Sequence, residues 1–279
     1  MKIAFIGGGN MAAALIAGLA GKLVPGANIH VVDPNPASLE ALQRQYGVTV
    51  AAALADSAAG EAEVLVLAVK PQVMHEVTQQ LLPLLQAAQA AGRTPLVLSI
   101  AAGIRAADLA RWLGGYQAIV RTMPNTPALI GMGVTGMVAS AGVNAAQRAA
   151  ADQILRAVGA TVWLDDESQI DAVTAVSGSG PAYVFYFIEA MQQAAGELGL
   201  TAEQGRQLAL ATFTGAAQLA AQSADPVPVL REKVTSKGGT TYAALTSMEA
   251  SGVKAAIIDA VKAAAARGKE LGEQLGSAG

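Results

Sequence analysis

The stretch Met1-Lys-Ile-Ala-Phe-Ile-Gly-Gly-Gly-Asn-Met-Ala12 decides the fold, because an apolar run ends at three glycines and a helical pattern follows directly. This order predicts a buried strand, a tight turn and a helix start. Gly7, Gly9 and Ala12 occupy the small-residue positions of the pattern G-x-G-x-x-G/A. There the first residue permits the turn, the second lets the backbone approach a pyrophosphate, and the third lets helix and strand pack closely. The stretch therefore predicts a dinucleotide-binding βαβ unit.

A second short apolar run, Ile29-His-Val-Val32, ends at Asp33. In a dinucleotide-binding unit, a carboxylate at this point accepts hydrogen bonds from the ribose hydroxyls of the adenosine half. The alternative is a structural glycine turn, with Asp33 capping the next helix. The order of strand, turn, helix and acidic residue favours the binding site. The residues predicted to hold the pyrophosphate are Gly7, Gly8, Gly9, Asn10, Met11 and Ala12.

The composition excludes several classes of protein. Of the 279 residues, 53% are hydrophobic and 14% are charged, which predicts a large core in two domains or one elaborated domain. A net charge of −3 without a basic block argues against nucleic acid as a partner. With no cysteine and two isolated histidines, we expect no metal site. The chain also has no membrane-length apolar stretch and no signal peptide, so we expect a cytoplasmic protein whose ligand is a small molecule.

Two patterns of secondary structure divide the chain near residue 165. Before that point, continuous apolar runs alternate with helical stretches, which is typical of a mostly parallel sheet covered on both faces. The predicted strands are Ile3–Ile6, Ile29–Val32, Val64–Val69, Leu96–Ile100, Ile119–Arg121, Val134–Val138 and Thr161–Leu164. Beyond it only helical spacing remains. We therefore predict a doubly wound α/β domain over residues 1–165 and an all-helical domain over residues 166–279, whose apolar excess indicates an oligomer.

Three loops follow predicted strands at the edge of the sheet where open α/β sheets bind ligands. The loops are Ala68-Val-Lys-Pro-Gln72, Ser99-Ile-Ala-Ala-Gly103 and Arg121-Thr-Met-Pro-Asn-Thr-Pro127. Ala68 and Ala101 are small enough for a nicotinamide ribose to lie against the backbone. Asn125 can hydrogen-bond a carboxamide, and Lys70 can supply positive charge. The alternatives are a solvated lysine in a proline-containing loop and an Asx turn at Asn125, but the consecutive strand ends favour a site.

Two stretches interrupt the pattern of the predicted helical domain. Ser177-Gly-Ser-Gly-Pro-Ala182 puts two glycines and a proline at a helix start beside aromatic residues, which predicts either free backbone donors or a capping loop. Thr235-Ser-Lys-Gly-Gly-Thr-Thr241 also ends in a helix start, and its N–H groups and hydroxyls predict a nest for a carboxylate. A helix cap is the alternative there too, although two glycines followed by two threonines exceed what a cap needs.

Together these stretches resemble the pyrroline-5-carboxylate reductase family. The matching segments, in the family's order over nearly the whole chain, are Gly7–Met11, Val69–Pro71, Ser99–Gly103, Arg121–Pro127, Ser177–Tyr183 and Val234–Thr241. The resemblance implies a Rossmann-type N-terminal domain and an all-helical C-terminal dimerisation domain that interlocks with a partner subunit. It implies reduction of 1-pyrroline-5-carboxylate to L-proline by NADPH or NADH. It also implies a homodimer and leaves a higher assembly of dimers open.

The resemblance further implies roles for individual residues. The residues implied to line the nicotinamide half of the cofactor are Ala68, Val69, Lys70, Pro71, Ala101 and Asn125. Those implied to bind the substrate carboxylate are Ser236, Gly238, Gly239, Thr240 and Thr241. The Thr241 hydroxyl would lie near the ring nitrogen, which makes Thr241 the implied catalytic residue. The nest would face the cofactor of the partner subunit.

The chain departs from the family's pattern at two places. Lys237 stands where the family usually has proline, and it either attracts the carboxylate or faces solvent, which we favour. Asp33 would repel a 2′-phosphate, and Ala55 stands where many members carry an asparagine at the adenosine end. Both features favour NADH, although the family often prefers NADPH.

Two other functions remain open at this point. One is another reductase on the same scaffold, such as a 3-hydroxyacid dehydrogenase or a general imine reductase. That chemistry needs a lysine or another acid–base residue in the first long helix, where the stretch from Tyr183 to Met191 offers only Glu189. The other is a dinucleotide sensor without catalysis, which has no need of a carboxylate nest.

Overall fold

The computed structural model describes residues 1–277 and contains an eight-stranded sheet. The strands are β1 (Ile3–Ile6), β2 (Ile29–Val32), β3 (Thr49–Ala51), β4 (Val64–Leu67), β5 (Leu96–Ser99), β6 (Ile119–Met123), β7 (Gly133–Ala139) and β8 (Gly159–Trp163). Their order is β3-β2-β1-β4-β5-β6-β7-β8, and only the β6–β7 pair is antiparallel. Each predicted strand is present within two residues of its expected ends, which confirms the mostly parallel sheet.

One strand, β3, was not predicted. It has three residues, is partly exposed, and pairs only with β2 at the edge of the sheet. An edge strand of this kind needs no continuous apolar run, because one of its sides lacks a neighbouring strand and its faces are only partly covered. A continuous apolar run therefore does not mark this strand in the sequence.

Five helices within residues 1–165 pack on the two faces of the sheet. They are α1 (Asn10–Leu19), α2 (Pro36–Tyr46), α3 (Met74–Ala90), α4 (Ala106–Trp112) and α5 (Ala145–Arg156). Phe5 of β1 lies in the core beneath α1, α2 and α5, whereas its neighbour Ile6 lies in the core beneath α3 and α4. Successive strand residues point to opposite faces, so burial of both faces explains why the strands read as continuous apolar runs.

From Gln169 to Gly276 the regular structure is helical. The helices are α6 (Gln169–Val173), α7 (Gly180–Glu197), α8 (Ala202–Gln222), α9 (Val227–Lys233), α10 (Thr240–Ala250) and α11 (Val253–Gly276). A π-helical turn over Thr174–Gly178 joins α6 to α7. Within residues 166–277 there is no strand, as predicted. None of the helices in the described chain is both long enough and apolar enough to cross a membrane.

The described chain forms two compact units. The first holds Met1–Ser179 together with the end of α11 from Ala264, and the second holds Gly180–Ala263. This division by contacts differs from the predicted boundary between residues 165 and 166. The reason is that α6 packs on the sheet, where Ile170 is buried and Val173 lies against β7. The division of the chain into two domains at residue 165 stays a prediction.

The end of α11 belongs to the first unit through contacts with α4. Arg111 donates a hydrogen bond of 2.6 Å from Nη2 to the carbonyl oxygen of Gly276. Arg105, just before α4, pairs with Glu273 at 3.6 Å. The α/β unit therefore consists of two segments of the chain that are separated by the helical unit.

The second unit leaves many large apolar side chains exposed. They include Phe185, Tyr186, Met191, Leu198, Leu208, Leu219, Val227, Val234, Tyr242, Met248 and Ile258. Within α7 to α10, the fully buried residues are only the small Gly205 and Ala209. A surface this rich in apolar side chains is typical of a protein interface, which supports the predicted oligomer.

Candidate active site

The carboxyl ends of β1, β2 and β4 meet where the strand order reverses. Ile6 at the end of β1 is in register with Val32 of β2 and Leu67 of β4. The residues that follow these three positions are Gly7, Asp33 and Ala68. A cleft of about 540 Å³ opens at this point, which is the size of a small-molecule site and the place where doubly wound sheets bind ligands.

The cleft contains about half of the predicted cofactor residues. Those that line it are Gly7, Gly9, Asp33, Ala68, Val69 and Lys70. Gly8, Asn10, Met11, Ala12 and Pro71 adjoin them in the chain. Ala101 follows β5, whereas Asn125 follows β6. The predicted set is therefore distributed over the ends of five strands.

The glycine turn has the geometry that a pyrophosphate site needs. Gly7 has a φ of +105°, and a Cβ added to it would lie 2.7 Å from the carbonyl carbon and oxygen of Ala68. A Cβ added to Gly9 would meet no atom within 4 Å, and Gly9 is the N-cap of α1, which has no side-chain cap. By contrast, Asn35 caps α2 by accepting a hydrogen bond from the Ala37 N–H at 3.1 Å. The uncapped start of α1 leaves backbone donors for an anion, so these residues fit a dinucleotide.

Asp33 holds the turn as well as lining the cleft. Its Oδ2 accepts a hydrogen bond of 2.7 Å from the Gly8 N–H, and its Oδ1 accepts one of 2.8 Å from the Asn35 N–H. The alternative that Asp33 caps α2 is wrong, because Asn35 is the N-cap. The carboxylate keeps further lone pairs for ribose hydroxyls.

Asn125 is engaged by the protein itself. It is buried, its Oδ1 accepts a hydrogen bond of 2.9 Å from the Val134 N–H, and its Nδ2 donates one of 3.1 Å to the Ser177 carbonyl. The alternative of a local Asx turn is wrong, since the side chain makes no capping bond. Its Nδ2 has a second hydrogen, which makes no hydrogen bond within the described residues. The role of Asn125 at the nicotinamide stays a prediction.

Beneath this loop lies an ion pair that the sequence analysis missed. Arg121 of β6 is 3% exposed, and its Nη1 donates to Glu167 Oε1 at 2.8 Å. The same oxygen accepts a hydrogen bond of 2.6 Å from the Ala106 N–H at the start of α4. The available signal was a charged residue at the end of an apolar run, followed 46 residues later by a carboxylate. Glu167 therefore joins β6, α4 and the segment before α6.

The Ser177–Ala182 stretch contains the predicted helix start, because α7 begins at Gly180. The π-helical turn carries the chain from α6 into α7, with the Ser179 N–H bonded to the Thr174 carbonyl at 2.8 Å. The Ser177 hydroxyl donates to the Val173 carbonyl at 3.0 Å. The Ser179 N–H is therefore not free, and the chain before Gly180 is helical instead of the alternative capping loop. Such π-helical turns are frequent at functional sites.

The predicted nest lies in the second unit, at the start of α10. Gly238 has a φ of +74°, and the Gly239 N–H bonds to the Ser236 carbonyl at 3.0 Å. Gly239 is the N-cap of α10, which has no side-chain cap, and the two threonines that follow it are exposed. The residues brought together here are Ser236, Gly238, Gly239, Thr240 and Thr241. An uncapped helix start with nearby hydroxyls suits a carboxylate.

No group of histidine, aspartate or glutamate side chains within residues 1–277 is arranged to hold a metal ion. Lys70 is exposed at the rim of the cleft and forms no ion pair in the described chain. The charged groups that line the cleft are Asp33, Lys70 and Glu76.

Comparison with known proteins gives matches over the whole chain. Residues 167–271 match the pyrroline-5-carboxylate reductase dimerisation family, and residues 2–103 match a family described as NADP oxidoreductase, coenzyme F420-dependent. Pyrroline-5-carboxylate reductase of Pseudomonas aeruginosa is 49% identical over 275 residues, covering 99% of this chain and 98% of that protein.

Two solved structures of pyrroline-5-carboxylate reductases are also similar. The Coxiella burnetii structure is 39% identical, with a TM-score of 0.90 over 97% of this chain and 98% of that chain. The Plasmodium falciparum structure, which has NADP bound, is 29% identical, with a TM-score of 0.84 over 98% of each chain.

The fold and the cleft define an oxidoreductase that uses a nicotinamide dinucleotide and carries a helical dimerisation domain. More particularly, the chain belongs to the pyrroline-5-carboxylate reductase family. The predicted fold, family and enzyme class are thereby confirmed.

Proposed function

We propose that the protein reduces 1-pyrroline-5-carboxylate to L-proline, with NADH as the preferred hydride donor. The observation that carries the proposal is a pair of glycine N-caps, one in each unit. Gly9 precedes α1 and Gly239 precedes α10, and neither helix has a side-chain cap. The first suits the pyrophosphate of the cofactor and the second suits the substrate carboxylate. A cytoplasmic location and a higher assembly of dimers remain predictions from the sequence.

The proposed reaction needs few ionisable side chains from the protein. The reaction adds a hydride to the carbon of a C=N bond and a proton to its nitrogen, and the dinucleotide supplies the hydride when it is bound. The turn over residues 235–241 contains hydroxyls but no histidine or carboxylate. We infer that it binds the carboxylate and that the Thr241 hydroxyl orients the ring nitrogen. The proton comes from solvent or arrives with the substrate.

Asp33 supports the preference for NADH. Two backbone N–H groups hold its carboxylate at the cleft, so the negative charge cannot move away without breaking those bonds. No cationic side chain occurs in the segment Asp33–Ser38 to balance it. A 2′-phosphate placed beside this carboxylate would be repelled. The NADP-bound relative makes a direct comparison of the two cofactors necessary.

A steady-state assay with DL-pyrroline-5-carboxylate tests the reaction and the cofactor together. The absorbance of NADH and of NADPH is followed in parallel at matched concentrations. We expect rapid oxidation of both, with the higher kcat/KM for NADH because of Asp33. A preference for NADPH keeps the reductase but refutes the role given to Asp33. Binding of both cofactors without oxidation refutes the catalytic proposal and favours a dinucleotide sensor.

Thr241→Val is expected to lower turnover about ten- to a hundredfold, because a hydroxyl that orients the reacting nitrogen is lost. The Kd for NADH should change less than about twofold. The matched control is Thr235→Val, in the same turn, whose hydroxyl donates to the Arg231 carbonyl at 2.6 Å. We expect the control to keep normal turnover. Near-normal turnover of Thr241→Val would remove Thr241 from the mechanism.

We propose that each active site combines the cleft of one subunit with the nest of its partner. The exposed apolar faces of the second unit and the match to a dimerisation family support a dimer. Mixed dimers of Thr241→Val and Gly9→Ala subunits distinguish the arrangements. If two subunits share each site, a mixed dimer has one site with both changes and one with neither, so activity rises above both parents. If each site lies within one subunit, mixing restores nothing.

A further inference from the structure

Gly8 is the middle residue of the glycine turn, and side chains hold both of its backbone polar groups. It is buried, its N–H donates to Asp33 Oδ2 at 2.7 Å, and its carbonyl accepts from Ser38 Oγ at 2.7 Å. Among the described residues, this carbonyl accepts no other hydrogen bond. Buried backbone groups need partners, and here both partners come from the segment after β2.

That segment is itself rigid. Asp33 Oδ1 accepts from the Asn35 N–H at 2.8 Å, and Pro34 and Pro36 flank Asn35. Asn35 caps α2, and Ser38 lies in the first turn of that helix. The two side chains that hold Gly8 are therefore fixed with respect to each other. Prolines and a capped helix start restrict the backbone of the segment.

We propose that Ser38 is a positioning residue that orients the glycine turn for the dinucleotide. The Gly8 carbonyl and the Gly9 N–H belong to one planar peptide unit. Holding the carbonyl therefore fixes the direction of the Gly9 N–H, a donor at the cleft. Three successive glycines lose much conformational freedom on ordering, and the Ser38 hydrogen bond removes part of that cost before the ligand arrives.

The inference rests on the proposed function only in requiring a dinucleotide in the cleft. It differs from the role given to Asp33, because Ser38 acts on the turn and not on the 2′ position of the ribose. Loss of its hydroxyl should therefore weaken the binding of NADH and of NADPH by the same factor. A substitution that altered recognition of the ribose 2′ position would instead change the affinities for NADH and NADPH by different factors.

The test is the equilibrium Kd of the full chain for NADH and for NADPH, measured by cofactor fluorescence without substrate. For Ser38→Ala we expect both Kd values to rise about five- to tenfold. Ser38→Thr, which keeps the hydroxyl, should stay within about twofold of the original protein. The control is Thr161→Val on β8, at the far edge of the sheet, which loses a hydroxyl bond of 2.7 Å to Asp152. It should bind both cofactors normally, although its Tm falls as that of Ser38→Ala does.

Unchanged Kd values for Ser38→Ala, or a loss for one cofactor alone, overturn the inference and leave the proposed function standing. Failure of the original protein to bind either cofactor overturns both. If Ser38→Ala does not fold, Ser38→Cys keeps the shape with a weaker donor. We then expect Ser38→Cys to weaken the binding of both cofactors by the same factor. Unchanged Kd values for Ser38→Cys would also overturn the inference.

Discussion

Gly7→Ala is expected to abolish dinucleotide binding and to destabilise the protein by about 3 kcal/mol or more. The φ of +105° at Gly7 is one that side chains rarely adopt, and the added Cβ would lie 2.7 Å from the Ala68 carbonyl group. That group is backbone at the end of β4, so it cannot turn away as a side chain would. The measurements are the Kd for NADH and the midpoint of denaturant unfolding.

Gly9→Ala is the matched control for this change. A Cβ at Gly9 meets no atom within 4 Å, and φ is −72°, so alanine fits the folded chain. We expect the midpoint of unfolding to be unchanged and the affinity for NADH to fall, because the methyl group occupies the space that the pyrophosphate approaches. Equal destabilisation of the two variants would contradict the geometry of the turn.

Glu167→Ala is expected to destabilise the protein by about 3 kcal/mol, which corresponds to a fall in Tm of roughly 6–12 °C for a domain of this size. Arg121 is 3% exposed, and it would lose its partner at 2.8 Å while staying buried. The Ala106 N–H would lose its acceptor at the same time. The measurement is calorimetric unfolding of the protein without ligands.

Two further variants interpret that result. Glu167→Gln keeps an acceptor for the Ala106 N–H, so its Tm should lie between those of the original protein and Glu167→Ala. Glu203→Ala breaks an ion pair with Arg206 in which both side chains are exposed, and it should leave the Tm unchanged. A normal Tm for Glu167→Ala would show that water takes over the role of the carboxylate.

The strands were predictable because a strand that is buried on both faces has a continuous apolar run in the sequence. Phe5 and Ile6 lie in opposite cores, so both positions are apolar and the run is continuous. A continuous apolar run does not indicate the direction of a strand. The antiparallel pairing of β6 with β7 could therefore not be predicted from it. The partly exposed edge strand that begins at Thr49 has no continuous apolar run.

The candidate site was predictable where its requirements are local in the chain. The glycine turn and the nest each need small residues at fixed spacing within one short segment, and both segments begin a helix. The contacts that hold the site are not local. Asp33 and Ser38 reach Gly8 across 25 and 30 residues, and only the parallel pairing of β1 with β2 brings them together. Asn125 was identified by its type and position, but its partners Val134 and Ser177 were not.

The return of α11 to the α/β unit sets an order of events during synthesis. Domains usually fold as they leave the ribosome, the N-terminal one first. Here Arg111 and the Asp108 side chain beside Gly276 receive their helical partner only after Gly180–Ala263 has been made. The nucleotide-binding half therefore emerges early but is completed late. A nascent chain that stalled in the helical segment would therefore have α4 packed on the sheet, with Arg111 still lacking the Gly276 carbonyl.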